Sequence, residues 1–284
     1  MSVKHILPAI LMAVFSMTCL GQDDIRLIIR GDDIASTHAA NLGCIQSYQE
    51  GIMRSVEIMV PCPWFPEAVR MLNENPGLDV GVHLTFTSEW ENMKWRPLTH
   101  APSITDDMGF FHPMIWPNER FPADRTLKGS PWKLEEIEAE MRAQIELALQ
   151  EIPQVSHLSC HMGCAGWDEE VGKLYARLAA EYDLDIDPSE RGVKYFPGSA
   201  QGESYEERKG NFIKGLQEME KGHTYLFVEH PALESMEMEA IGHDGYYTVN
   251  NDRQMVTELF TDKDVKAAIE KLGIRLISYA DLVK

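Results

Sequence analysis

Six short apolar runs, several of them separated by helix-like stretches, constrain this chain more than any other feature. The runs are IRLIIR (25–30), SVEIMV (55–60), LDVGVHL (78–84), QVSHLSC (154–160), TYLFVE (224–229) and IRLISY (274–279). Helical patterns cover 38–50, 65–74, 133–151, 168–182, 204–221 and 262–272. Strand followed by helix, repeated, argues for a parallel sheet covered by helices. Six or more such strands in one compact unit favour an α/β fold of the (β/α) barrel type, distorted or incompletely closed, as a single domain over residues 22–284. An open doubly wound sheet would more often place a glycine-rich phosphate turn after the first strand, and GDDIAS does not match GxGxxG.

In helix 133–151 the residues Leu134, Ile137, Met141, Ile145 and Leu149 recur at helical spacing, which assigns that face to the core. Residues 88–132 lack such a period. They hold six prolines and the aromatics Trp90, Trp95, Phe110, Phe111, Trp116, Phe121 and Trp132. A long irregular excursion of this kind reads as a functional loop or lid, and its aromatic faces suit either core packing or sugar rings.

The balance of 45 acidic against 26 basic residues, a formal net charge of −19, argues against nucleic acid or an anionic membrane as a partner and favours a neutral substrate. The opening MSVKHILPAILMAVFSMTCLGQDD has a short positive start, an apolar run and then small or polar residues, so residues 1–21 are expected to be a secretory signal peptide. The expected location is periplasmic or extracellular. Lipid anchoring at Cys19 ranks second, because Ser16, Met17 and Thr18 fit a lipidation site poorly. The apolar run is too short for stable membrane insertion. Cys44, Cys62, Cys160 and Cys164 remain after cleavage; they match no paired zinc pattern and read best as buried small hydrophobes.

In a β/α barrel the reactive groups come from the C-terminal ends of the strands. Asp32 and Asp33 follow the first run, His83 ends the third, His157 and His161 lie in and just after the fourth, and His230 ends TYLFVEH. Asp-Asp after a strand is by itself an ordinary turn or helix cap, a lone His83 an ordinary core histidine, and HxxxH a chance pattern. Their arrival at four strand ends points instead to a metal centre. One carboxylate and two imidazoles leave positions open for water and a substrate oxygen, and a second carboxylate can act as base.

These residues resemble those of the YdjC-like (ChbG/HpnK) carbohydrate deacetylases. DDIAST with Asn41 is similar to the family's DDxG start, EGIMRSVEIMV to its second strand, VGVHLTFT to its G-(L/I)-H-(L/F) strand, and SHLSCHMG to its H-x-D-S-H segment. SITDDMGFFH, EHPALE and IRLISYADL extend the resemblance over nearly the whole chain after residue 21. It implies a β/α-barrel hydrolase that removes the N-acetyl group of an amino sugar with one divalent ion, Mg2+ or Zn2+. Asp33, His83 and His161 would hold the metal, Asp32 would be the general base and His230 the general acid, with His157 in support. The expected partner is an N-acetylated carbohydrate, and a homodimer is compatible with the sequence. The chain departs from the pattern at Ile34 and Ala35, where the family has Phe and Gly, at Ser159, where it mostly has Asp, and at Cys160, where it has Ser. The rival readings are a glycoside hydrolase, which needs two carboxylates across a sugar, and a carbohydrate-binding protein that keeps the metal site without turnover.

Overall fold

The computed structural model describes residues 24–283. The expected signal peptide, and Cys19 within it, lie outside them. Among the described residues seven parallel strands form one sheet: β1 (Ile25–Ile34), β2 (Ser55–Ile58), β3 (Asp79–Leu84), β4 (Val155–Cys160), β5 (Lys194–Tyr195), β6 (Thr224–Glu229) and β7 (Ile274–Ile277). Seven helices flank it: α1 (His38–Gln49), α2 (Phe65–Asn73), α3 (Leu134–Glu151), α4 (Glu169–Glu181), α5 (Tyr205–Glu218), α6 (Val249–Thr261) and α7 (Lys263–Leu272). The order is β4-β3-β2-β1-β6-β5, and β7 pairs with the first half of β1. The edges β4 and β5 are not joined. The barrel is therefore incomplete, as expected of a distorted form, and a fully closed one does not form among the described residues.

The sheet curls. Three interstrand spacings separate β1 from β4, about 14 Å on a flat sheet. Yet His161, directly after β4, approaches Asp33 of β1 to 3.3 Å. Alternation divides each strand between two environments. Leu27 and Ile29 of β1, Val56 and Ile58 of β2, and Val80, Val82 and Leu84 of β3 are buried in the main core with the helices. Ile28, Leu226, Ile277 and Tyr279 form a small second cluster on the opposite face.

Helix starts follow capping rules. Thr37 accepts from the Ala40 N–H, Asp168 from the Glu170 N–H, and Asp262 from the N–H groups of Asp264 and Val265. Gly273, at φ +65°, ends α7 in the left-handed region that glycine tolerates best. On α3 the inward face is Ile137, Met141, Ile145 and Ala148, while Leu149 is exposed, a correction to the expected stripe. α6 has no counterpart in the sequence reading.

The excursion is fastened rather than free. Glu140 of α3 accepts the N–H groups of Leu98 and Thr99, and Trp90 stacks on His243 at 5.6 Å. Trp90, Trp95, Phe111 and Phe121 are buried, so most of its aromatics are core; Trp116 is exposed. Cys44, Cys62 and Cys164 are buried free thiols, as the sequence suggested, and Cys160 is half-buried and also free. No described helix is long and apolar enough to cross a membrane.

Candidate active site

β1 runs four residues further than the apolar pattern indicated, so Asp32 and Asp33 lie inside it rather than in a turn after it. Pairing with β2 holds this extension: Arg30 faces Ser55, Gly31 faces Val56, and after an irregularity Ile34 faces Ile58. The irregularity rotates Asp33, which sits at φ +71°, and Ala35 follows at φ +82°. Asn41 of α1 accepts the Ala35 N–H at 2.7 Å, and Ser36 donates to the Asp33 carbonyl at 2.7 Å. Left-handed backbone at non-glycine residues persists where the surroundings over-determine it, and that pattern concentrates at functional sites.

The structure brings the expected residues together. Asp33 Oδ1 is 3.7 Å from His83 Nε2 and 3.3 Å from His161 Nδ1. Asp33, His83 and His161 each offer a donor atom within 4.8 Å of the others, and all three are buried. Asp33 Oδ1 is inaccessible to solvent and makes no well-aligned hydrogen bond, its contacts being the two imidazoles at ion-pair distance. Donor atoms about 2.0–2.2 Å from one ion would be spaced much as these are. A buried carboxylate oxygen set against two buried imidazoles therefore fits a divalent ion.

Four residues that sequence reasoning did not assign to the site complete it, although Arg30 stood out beside the aspartate pair as the one nearby charge able to offset it. Arg253 of α6, itself buried, donates to Asp33 Oδ2 at 2.7 Å. Burial alone would raise the Asp33 carboxyl, but Arg253, His230 and His161 outweigh it and hold the group well below the usual carboxylate range. Arg30 grips Asp32 through both oxygens, at 2.7 and 2.9 Å. Glu89, at the start of the excursion, lies 3.2 Å from His161 Nε2. Burial opposes a charge on His161, yet Glu89 and Asp33 raise it to about 10, so a cation held between His161 and Asp33 would take the place of a proton there. Burial dominates at His83, which is pushed down to about 4 and presents a neutral ring. The fourth residue is Glu57 of β2, fully buried, with Oε1 2.7 Å from His157 Nε2 and Oε2 accepting from the Ser159 hydroxyl.

His157 does not join the donor set. Both its nitrogens are occupied, by Glu57 at 2.7 Å and Ser156 at 2.8 Å, and Tyr279 stacks on it at 3.9 Å. This is the supporting place the resemblance implied. His230 stands at the rim, 40 % exposed, with Nε2 3.9 Å from Asp33 Oδ2. Desolvation lowers its pKa, but Asp33 and Glu229 more than offset this and raise it. His230 also lines a polar pocket of about 250 Å³ with Arg208, Glu229, Tyr246 and Arg253. A larger cavity, about 510 Å³, lies on the open side of the sheet between Ser159 and Cys160 of β4, Arg30 of β1 and Tyr279.

A family model described as YdjC-like protein matches residues 26–271. A protein of Listeria monocytogenes named carbohydrate deacetylase is 26% identical over 266 residues, covering 90% of this chain and 100% of its own length. One of the same name from Thermus thermophilus is 34% identical over 158 residues, covering 56% of this chain and 51% of its own length. Among solved structures, one described as a putative cellobiose-phosphate cleavage protein from Enterococcus faecalis superposes with a TM-score of 0.69. It is 23% identical and covers 91% of this chain and 99% of its own, a likeness of fold.

Proposed function

The chain belongs to the YdjC-like family, and we propose that it is a carbohydrate deacetylase that hydrolyses the N-acetyl group of an amino sugar at a metal centre held by Asp33, His83 and His161. The observation that carries this reading is the buried Asp33 Oδ1 set against two buried imidazoles, each offering a donor atom close enough for one ion. The names of the Listeria and Thermus relatives support the reaction class. We assign the ion as Zn2+ or Mg2+. When bound, it supplies the positive charge that acidifies a water and polarises the acetamide carbonyl.

The chain's own residues do the rest. Arg253 keeps Asp33 charged and fixes its orientation by holding Oδ2, which leaves Oδ1 to face the histidines. Arg30 holds the neighbouring Asp32 carboxylate, whose Oδ2 is 3.7 Å from His83 Nε2, at the edge of the donor set. There Asp32 takes the proton of the attacking water. His230, with its raised affinity for a proton, returns one to the departing nitrogen. Its exposed rim position suits a sugar entering from solvent, and the 250 Å³ pocket beside it is where that sugar would begin to be recognised.

A glycoside hydrolase needs one carboxyl kept protonated as general acid. Asp33 is held well below the carboxylate range and does not suit that part, and Asp32, its neighbour on the same strand, is poorly placed to face it across a sugar. We also propose that the protein is exported, a reading that rests on residues 1–21 and that fractionation of expressing cells tests directly.

The deciding experiment is acetate release from a panel of N-acetylated oligosaccharides by protein stripped of metal and reloaded with Zn2+ or Mg2+. Acetate release restored by one ion is expected. Sugar binding without acetate release across the panel would favour the carbohydrate-binding reading instead. In the active assay Asp32→Asn should keep the ion and lose rate by about 10²–10⁴-fold, the usual weight of a general base; full activity would remove Asp32 from that role.

A further inference from the structure

Glu57 is a buried acid in the middle of a four-residue strand, where an apolar residue would serve the fold with less desolvation. It lies opposite Gly81 in the pairing of β2 with β3, and Gly81 lies opposite His157 in the pairing of β3 with β4. A Cβ at Gly81 would run into both Glu57 and His157. The glycine thus opens a passage across β3 through which the Glu57 carboxylate reaches β4. One oxygen meets His157 and the other meets the Ser159 hydroxyl. Ser159 faces His83 in register, and its Oγ lies 2.7 Å from His83 Nδ1.

We propose that Glu57 is a positioning residue for the metal centre, acting through Ser159 to fix the tautomer and orientation of His83. The inference rests on the reading of Asp33, His83 and His161 as metal-holding residues. Proton accounting supplies the direction. A carboxylate only accepts, so the single Ser159 proton goes to Glu57. Ser159 Oγ is left to accept, and His83 must donate to it from Nδ1. His83 Nε2 then bears the lone pair, on the side that faces Asp33 Oδ1. A partner on the far nitrogen of a ligating histidine commonly sets its tautomer in this way. Here the task is divided between a serine on β4 and a carboxylate two strands away on β2.

The test measures Zn2+ affinity by titration calorimetry on the stripped protein, together with the ring 15N shifts of His83. The parent is expected to show His83 protonated at Nδ1. Ser159→Ala and Glu57→Gln should each weaken Zn2+ binding by about 10–100-fold and blur the tautomer. Combining Glu57→Gln with Ser159→Asp, which sets a carboxylate directly beside His83 Nδ1, should recover both, a rescue that loss of packing alone does not predict. Parent-like Zn2+ affinity in Ser159→Ala overturns the inference, as does a parent His83 protonated at Nε2, a result that requires no variant to fold. A parent that binds no Zn2+ overturns the metal reading and this inference with it; binding by the parent and equally by the variants overturns the inference alone.

Discussion

The two faces of the curled sheet are made from alternate residues of the same strands, and they obey opposite rules. Outward from β1, β2 and β3 point Leu27, Ile29, Val56, Ile58, Val80 and Val82, all in the main apolar core. On the inner side the same strands supply Arg30, Asp32, Glu57 and His83, joined by Ser159 and His161 from β4 and its end. Apolar packing is non-directional and tolerant of substitutions that conserve volume. A buried polar network is neither, because removing one partner strands another in low dielectric. Stability should therefore be spread along the outer face, whereas chemistry should depend on single atoms of the inner one.

The sharpest way to break this contrast is Asp33→Ala. It leaves Arg253 buried without its partner, so a loss of about 3–5 kcal/mol is expected in denaturant unfolding, with Zn2+ binding and acetate release both abolished. Retained Zn2+ binding would show that Asp33 is not a ligand. Leu27→Ala, on the outer face of the same strand, should cost about 2–5 kcal/mol through its cavity. Its Zn2+ affinity and turnover per folded molecule should stay within about twofold of the parent, since distant sites add independently. A tenfold fall in either would show that the faces are coupled. The smallest effect is expected at Ala35→Gly. Relief of the left-handed backbone, about 1–2 kcal/mol, is largely offset by the loss of a buried methyl, leaving a net gain of roughly 0.5 kcal/mol in thermal unfolding.

Much of this was legible in residue order. The β-branched runs located six strands because burial on a parallel sheet demands them, and Asp32, Asp33, His83, His161 and His230 stood out as polar groups at strand ends. The two residues of β5 are both exposed and so carry no apolar signal. α6 was missed because VNNDRQ opens it as a polar stretch, and with it went Arg253, whose partner Asp33 lies 220 residues away in sequence. Glu57 did leave a trace, an acid inside SVEIMV, because a charge in a buried strand signals a partner. Which partner it takes depends on the open space at Gly81, and that is a property of three strands side by side.

The place of β1 in the sheet has a consequence in time. Its partners are β2, which follows at once, and β6 and β7, which come near the end of the chain. As the polypeptide is delivered N-terminus first, the central strand can satisfy only one stretch of one edge until almost everything else has followed. Pairings of such sequence separation form slowly, and the waiting edge is open to wrong partners. Loss of only the last dozen residues, which contain β7 and Tyr279, would therefore act at the middle of the sheet rather than at its margin.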